Sequence, residues 1–470
     1  MTRAYLIRRS PTGIQHYSLF TKRCFASLDR LRRVSHSFMG IFLHQYIGTP
    51  SGSVKYIKML LRSGKIPSDS SMDRGDCLSL CMMETSKKNF PVIGIIGGGQ
   101  LGKMFIQKAS QWSVPVNILD KDEHCPSGVL ANRHLLGSIT NGDDIQQLAD
   151  ISDVLTWEIE HIDVDKLIEL KAQGKTIIPD PDILKIIQDK GRQKNFYQQH
   201  QIPTAPFFVA KDKYQAAEML VKTGFRKMAV KACTGGYDGK GVFITERPGV
   251  LEKPDIIPVG GGLMVEEFVP CKTEIAVLVA RNQKGEMAVY PAIEMEFDPV
   301  SNLVSFLKSP ANIPYHLEVR AEQIALQCAS AFNSPGLLAV EFFLSEENEL
   351  LVNEIAPRPH NSAHHTIEGF FTSQYEQLLR VLLGMPLGAT HLKMPCSMVN
   401  LVGPETGSGR YRLRYFNELN ALPGVYVHLY GKEESKPNRK LGHITMVQPS
   451  MEKLLEITQK VRTLTEIEII

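Results

Sequence analysis

A short β-branched run, Val92-Ile93-Gly94-Ile95-Ile96, passes without a break into Gly97-Gly98-Gly99-Gln100-Leu101-Gly102. No other feature of the 470-residue chain restricts the fold so much. An apolar run this short, stopped by glycine, reads as a buried strand, and the stretch from Leu101 to Trp112 reads as the helix after it. A second strand, Val116 to Leu119, ends in Asp120. Gly-x-Gly-x-x-Gly between strand and helix, with an acid about twenty residues on, fits the dinucleotide fingerprint. The physics asks for less. Any anion is attracted to the free N–H groups at a helix N-terminus, so a nicotinamide dinucleotide, a ribose phosphate or a substrate carboxylate would all serve.

Strand and helix then alternate. Val154-Leu155-Thr156-Trp157 reads as a buried strand leading to Glu158 and Glu160, Asp163 to Gln173 as a helix closed by Gly174, and Thr176 to Ile178 as the next strand. Such βα units predict a parallel sheet covered on both faces. Glu158 stands at a strand end, where open α/β sheets bind ligands, although a solvated loop acid would look the same.

Composition narrows the class. With 43% apolar and 22% charged residues, the chain reads as a globular enzyme with room for two or three domains. No apolar run approaches the ~20 residues that span a bilayer, so no membrane partner is expected. The eight cysteines are scattered, and Cys77 and Cys81 alone make no metal motif, which suits reduced thiols in a cytoplasmic protein. Residues 1–83 carry thirteen Lys or Arg against four Asp or Glu; the whole chain is at +3, so the remainder is at −6. A mildly acidic body gives no reason to expect a nucleic-acid partner. The basic leader, residues 1–89, has the Arg- and Ser-rich look of a transit peptide but lacks sustained periodicity. Met82-Met83 lies just ahead of the first convincing strand, and a start assigned too far upstream is the favoured reading.

The middle of the chain carries the chemistry. Asp182 to His200 reads as helix broken near Gly191, and Met228-Ala229-Val230 as a strand ending in Lys231. The loop Thr234-Gly235-Gly236-Tyr237-Asp238-Gly239-Lys240-Gly241 follows. Its amides can close over phosphate oxygens, with Lys231 and Lys240 adding charge; a plain hairpin turn is the alternative. Further on, Gly336–Leu344 and Glu349–Ile355 form a strand pair joined by Ser345-Glu346-Glu347-Asn348. If the turn centres between Glu347 and Asn348, Glu341 and Glu354 face each other with Cβ atoms about 4.5–5.5 Å apart. Two carboxylates so placed repel unless a proton or cation lies between them, and Mg²⁺ on ATP phosphates is the economical answer.

Taken together, Val230-Lys231, Thr234 to Gly241, Val265-Glu266-Glu267-Phe268, Glu341 and Asn353-Glu354 resemble the ATP-grasp superfamily. Gly97 to Met104, the run Asn353 to Ser362 and Arg439-Lys440-Leu441-Gly442-His443 narrow the resemblance to the 5-(carboxyamino)imidazole ribonucleotide synthases. The resemblance implies an α/β and α+β chain: a Rossmann-like parallel domain (90–182), an ATP-grasp domain (183–388) and a small β-rich C-terminal domain (389–470). It implies ATP-, Mg²⁺- and bicarbonate-dependent carboxylation of aminoimidazole ribonucleotide through carboxyphosphate. Lys190, Lys231 and Gly235, Gly236, Tyr237, Asp238, Gly239, Lys240 and Gly241 would meet ATP, together with Asn353 and Glu354. Glu266, Glu267, Phe268 and Val269 would receive adenine, Glu274 the ribose, and Glu341 with Glu354 the metal. Arg358, His360 and Asn361 would line the catalytic anion site. Gln100, Leu101, Tyr237, Asp238, Lys436, Arg439 and Lys440 would hold the ribonucleotide. A homodimer is common in that family.

Two positions depart from its pattern: Lys190 stands where Arg is usual, losing the planar fork, and Phe297 falls near a usual His. Formate-dependent glycinamide ribonucleotide transformylase is the nearest alternative, but it would be expected to show a serine-rich loop and Asp in place of Asn361. An NAD-dependent dehydrogenase leaves the paired glutamates unexplained, and a non-catalytic nucleotide-binding regulator leaves the anion-site residues unexplained. A protein starting at Met83 keeps every one of these motifs. It is expected to match the full chain in thermal midpoint and ATP turnover, and a fall of several degrees or lost turnover would show that the leader packs on the enzyme.

Overall fold

The computed structural model describes residues 90–235, 242–246, 262–298 and 304–470. The basic leader and the loop from Gly236 to Gly241 lie outside them. The first domain is built as the alternation predicts. Strands β1 (Ile93–Ile96), β2 (Val116–Asp120), β3 (Arg133–Leu136), β4 (Val154–Trp157) and β5 (Thr176–Ile177) form a parallel sheet in the order β3-β2-β1-β4-β5. Helices α1 (Gln100–Ser110), α2 (Gly142–Asp150) and α3 (Val164–Ala172) connect them. β1 and β4 are buried at every residue, as central parallel strands must be. Strand β3 and helix α2 escaped the sequence reading, because Arg133-His134-Leu135-Leu136 has too little apolar character for its length. Asn141 and Asp163 cap α2 and α3 by accepting the amides of Asp143 and Lys166.

The helix expected to break near Gly191 is two: α4 (Pro181–Ile187) and α5 (Lys190–Gln199). The break falls at Gln188-Asp189, where Asp189 caps α5 through the Arg192 amide. Gly191 lies inside α5, and its role is proximity. A Cβ there would come within 3.0 Å of Val209, and the neighbouring Lys190 amide donates to the Cys233 carbonyl at 2.8 Å.

Strands β6 (Phe207–Ala210), β7 (Met228–Ala232), β8 (Val242–Thr245) and β9 (Leu263–Glu267), with helix α6 (Lys213–Thr223), make an antiparallel sheet ordered β6-β9-β7-β8. Its apolar core is its own. The remaining large sheet takes β10 (Cys271–Arg281), β11 (Met287–Val289), β12 (Ile293–Phe297) and β13 (Val304–Ser309). After helix α7 (Tyr315–Phe332) it adds β14 (Gly336–Ser345) and β15 (Leu350–Ala356). Helices α8 (Thr366–Gly369) and α9 (Gln374–Leu382) lead to β16 (Cys396–Val402), β17 (Gly409–Leu413), α10 (Phe416–Asn420), β18 (Val425–Leu429), β19 (Glu434–Ser435), β20 (Lys440–Val447), α11 (Met451–Leu464) and β21 (Ile467–Ile469). The order β15-β14-β10-β12-β13-β16-β20-β18, with β11 on β10, carries one sheet across position 388 through the β13–β16 pairing. The C-terminal segment therefore extends the sheet that β10 to β15 form.

The first domain is tied to this body. Phe105 and Met104 of α1 share a core with Tyr375 and Leu379 of α9, and the Lys103 ammonium donates to the carbonyls of Leu429 and Tyr430 at 3.0 and 2.9 Å. The glycine loop is occupied by the protein itself. Asp120 accepts the Gly98 amide at 2.8 Å, and the Glu158 carboxylate accepts those of Gly99 and, at 2.5 Å, Gly102. The anion that the helix N-terminus attracts is Glu158, and a pyrophosphate there would have to expel it. Titration with NAD⁺ or NADPH, followed by calorimetry, is expected to show no saturable binding; micromolar affinity would restore the dinucleotide reading.

Candidate active site

The β14–β15 hairpin is turned by a three-residue loop, with the Ser345 amide donating to the Glu349 carbonyl at 2.9 Å and Asn348 in the left-handed region (φ 64°). That centres the turn on Glu347. Phe342, Phe343 and Leu344 therefore pair with Val352, Leu351 and Leu350, one residue away from the expected register. A bulge at Asn353 then shifts the ladder back, and Glu341 faces Glu354 as expected. The opposed pair is right although the assumed turn was not. Asn348 was the signal for the longer loop, since Asn tolerates that backbone conformation.

The pair sits in a field of one-sided acid and convergent cations. Burial, and then the neighbouring Glu354 and Glu274, push the Glu341 carboxyl up to about 8. Burial opposes the charge of Glu354 too, but Lys190, His360 and Lys231 outweigh it and hold its carboxyl below the usual range. The Lys190 ammonium lies 3.5 Å from the Glu354 carboxylate, and the His360 Nδ1 lies 3.4 Å from that of Glu341. Glu274 is on β10, two residues from the Ala276 that pairs with Glu341, and so on the same face of the sheet. Burial, then Glu354, raise its carboxyl to about 7.

Lys231 extends from β7 toward this cluster and is held from behind. Glu266, 2% exposed, accepts the Lys231 ammonium at 2.7 Å and, through its other oxygen, that of Lys194. Lys194, 1% exposed, also donates to Thr204 Oγ1 and to the Val352 carbonyl. Burial pushes its amine down to about 8 against the attraction of Glu266. The Glu266 side chain is thus engaged by two lysines. In the hinge, the Glu267 and Phe268 amides are taken by the Pro206 and Lys227 carbonyls at 2.8 and 2.9 Å.

The segment after β15 presents Arg358, His360 and Asn361. Arg358 forms an ion pair with Glu160 of the first domain at 2.7 Å. The Asn361 side chain exchanges two 2.9 Å hydrogen bonds with Asn400, which also donates to the Val304 carbonyl at 2.7 Å. Lys440 opens β20 near enough to favour the charged form of Glu341. The preceding turn is closed by Arg439, which donates to the Glu434 carbonyl at 2.8 Å; Lys436 is exposed. Gln100 is the first residue of α1, while the Leu101 side chain is buried in the core, so only its backbone is open to a ligand. Phe297 packs beside a cluster of Ile293, Met295 and Val304, as an apolar residue would. Gly235 closes the described part of the phosphate loop with φ 81°; Gly236, Tyr237, Asp238, Gly239, Lys240 and Gly241 fall outside the described residues.

Sequence reasoning assigned no role to Lys194, Thr204, Glu160 or Asn400. A Lys within a helix and an Asn within a strand have no local signature; their partners come from distant elements. Glu266→Gln leaves the buried Lys194 ammonium without a counter-charge and is expected to cost about 3–5 kcal/mol of stability, whereas Lys194→Met leaves Glu266 paired with Lys231 and costs under about 2 kcal/mol. Urea unfolding midpoints measure the difference; equal losses would show that Glu266 is not the keystone of the cluster.

Comparison with known proteins identifies the family. Residues 90–188 match the ribonucleotide synthetase preATP-grasp domain, 195–375 the ATP-grasp domain, and 396–457 the phosphoribosylaminoimidazole carboxylase C-terminal domain. The chain is 38% identical over 372 residues to N5-carboxyaminoimidazole ribonucleotide synthase of Bacillus subtilis, covering 78% of this chain and 95% of that protein. It is 37% identical to the chloroplastic phosphoribosylaminoimidazole carboxylase of Vigna aconitifolia, over 77% of this chain but only 64% of that longer protein. Among solved structures, N5-carboxyaminoimidazole ribonucleotide synthetase of Thermotoga maritima superimposes with a TM-score of 0.73 at 38% identity, over 81% of this chain and all of that one. The Aspergillus clavatus synthase, solved with ADP and 5-aminoimidazole ribonucleotide, gives 0.73 at 30% identity, over 80% and 99%. A hairpin that opposes two acids, a lysine braced from behind and an Arg-Pro-His-Asn segment beside them thus stand in a chain that belongs to the N5-carboxyaminoimidazole ribonucleotide synthase family of ATP-grasp proteins.

Proposed function

We propose that the chain is an ATP-dependent ligase that carboxylates 5-aminoimidazole ribonucleotide with bicarbonate. The observation that carries this reading is a single hairpin bearing both the opposed carboxylates and, four residues beyond Glu354, the segment Arg358–Asn361. A bicarbonate oxygen attacks the γ-phosphorus of ATP, the bond to ADP breaks, and carboxyphosphate forms. The ribonucleotide amine then attacks the carboxyl carbon, expelling phosphate and losing a proton. Lys231, braced by Glu266, sets positive charge against the phosphates, and Arg358, His360 and Asn361 supply charge and donors to the anion. Glu274 receives the ribose hydroxyls. Adenine is left to the free groups of the hinge through Val269, because the Glu267 and Phe268 amides are taken. Gln100, the Leu101 backbone and the Lys436–Lys440 turn face the ribonucleotide, joined by Tyr237 and Asp238.

Glu341 and Glu354 have the chemistry of a Mg²⁺ site. Among the described residues no three His, Cys, Asp or Glu side chains could hold a metal ion by themselves, which suits an ion whose shell is completed by phosphate oxygens and water. Bound there, Mg²⁺ would neutralise phosphate charge. No helix among the described residues is long and apolar enough to cross a membrane. The buried free thiols of Cys125, Cys233, Cys328 and Cys396 suit a reducing, cytoplasmic setting. A homodimer is the assembly that the family resemblance supports.

The dehydrogenase alternative loses its ground to Glu158, which fills the glycine loop. Phosphate release from ATP is expected to require 5-aminoimidazole ribonucleotide and bicarbonate together. Turnover with glycinamide ribonucleotide and formate instead would overturn the assignment.

A further inference from the structure

Gln374 is the first residue of α9 and is fully buried. Its side chain reaches back fourteen positions to the anion segment. Its Oε1 accepts the His360 amide at 2.8 Å, and its Nε2 donates to the His360 carbonyl at 3.0 Å. The same nitrogen donates to His364 Nδ1 at 2.9 Å, and the Tyr375 hydroxyl meets that Nδ1 at 3.2 Å. An amide nitrogen can only donate, so His364 Nδ1 carries no proton and the orientation of the Gln374 amide is fixed by all three bonds. The Gln374 backbone N–H in turn donates to Thr366 Oγ1 at 3.0 Å. His360 is thereby gripped by both of its backbone groups, while its ring meets Ser362 Oγ at 2.9 Å and the Glu341 carboxylate at 3.4 Å.

We propose that Gln374 is a positioning residue for the anion subsite: it touches no reactant, and by clamping the His360 backbone it sets where the imidazole meets bicarbonate and carboxyphosphate. The proposal rests on the reading of His360 given above. It draws on a feature of α9 that serves as an internal control. Gln377, one turn further on and also fully buried, makes the same two-point clamp on Gly388, accepting its amide at 2.8 Å and donating to its carbonyl at 3.1 Å. None of the candidate site residues lies on that second loop. Two equal clamps on one helix thus differ in what they hold.

The test uses the full chain and three variants, Gln374→Met, Gln377→Met and His360→Ala, with thermal midpoint and steady-state kinetics measured for each. Bicarbonate is varied in CO₂-depleted buffer with MgATP and 5-aminoimidazole ribonucleotide saturating, and ATP is varied in turn. Both glutamine variants are expected to lose thermal midpoint. Gln374→Met alone is expected to lower kcat/KM for bicarbonate by about 10- to 100-fold, as misplacement of a reacting group does, while KM for ATP stays within about twofold. If Gln374→Met does not fold, Gln374→Glu keeps the volume and the acceptor for the His360 amide, loses the donated bonds, and is expected to show the same split at smaller size. Equal kinetic effects of the two glutamine variants, or none from either, overturn the proposal. If His360→Ala leaves bicarbonate dependence intact, the reading of the anion site itself falls, and the proposal with it.

Discussion

The register of one hairpin sets the electrostatic problem that the rest of the centre answers. Glu341 and Glu354 are held across a ladder whose neighbours, Val340, Phe342, Val352 and Ile355, are buried, so neither strand can slip to separate them. Two unit charges about 5 Å apart repel by roughly 3 kcal/mol at an effective dielectric constant near 20. The fold answers by treating the two acids differently: burial and its acidic neighbours push the Glu341 carboxyl up, while Lys190, His360 and Lys231 hold that of Glu354 down. Each of those cations comes from a different part of the chain, so the site exists only when α5, β7 and the segment after β15 are all in place.

Bracing is repeated one layer further out. Glu266 stands behind Lys231, Lys194 behind Glu266, and Thr204 with the Val352 carbonyl behind Lys194. Asn400 similarly restrains Asn361 from β16, and Glu160 meets Arg358 from the first domain. Groups that would touch reactants are thereby held by groups that would not, which limits the reorganisation required as charge develops.

Much of this was readable from the sequence where chemistry is local. The strand–glycine–helix junction, the parallel sheet, Glu341 opposite Glu354, and Lys231 on its strand all follow from neighbours within a few residues. The double break in register was not readable in detail, since the three-residue loop and the Asn353 bulge offset each other. The two lysines on Glu266 were not readable for a related reason. An acid on a hinge strand looks available to a ligand until the helix bearing Lys194 is folded against it. Glu158 shows the converse, being placed at the right strand end and then found to be the loop's own ligand.

The unbroken sheet across position 388 has a consequence for how the C-terminal segment came to be inseparable from the rest. Its first strand, β16, supplies the hydrogen-bond partners for one whole side of β13, from Phe306 to Ser309. Removing residues beyond 388 would not release an independent module. It would leave a row of unpaired amides and carbonyls on β13, a template for strands of other chains. In this architecture the last eighty or so residues guard the large sheet against self-association as much as they furnish the basic turn, and a mutation that frays β16 would be felt first as insolubility.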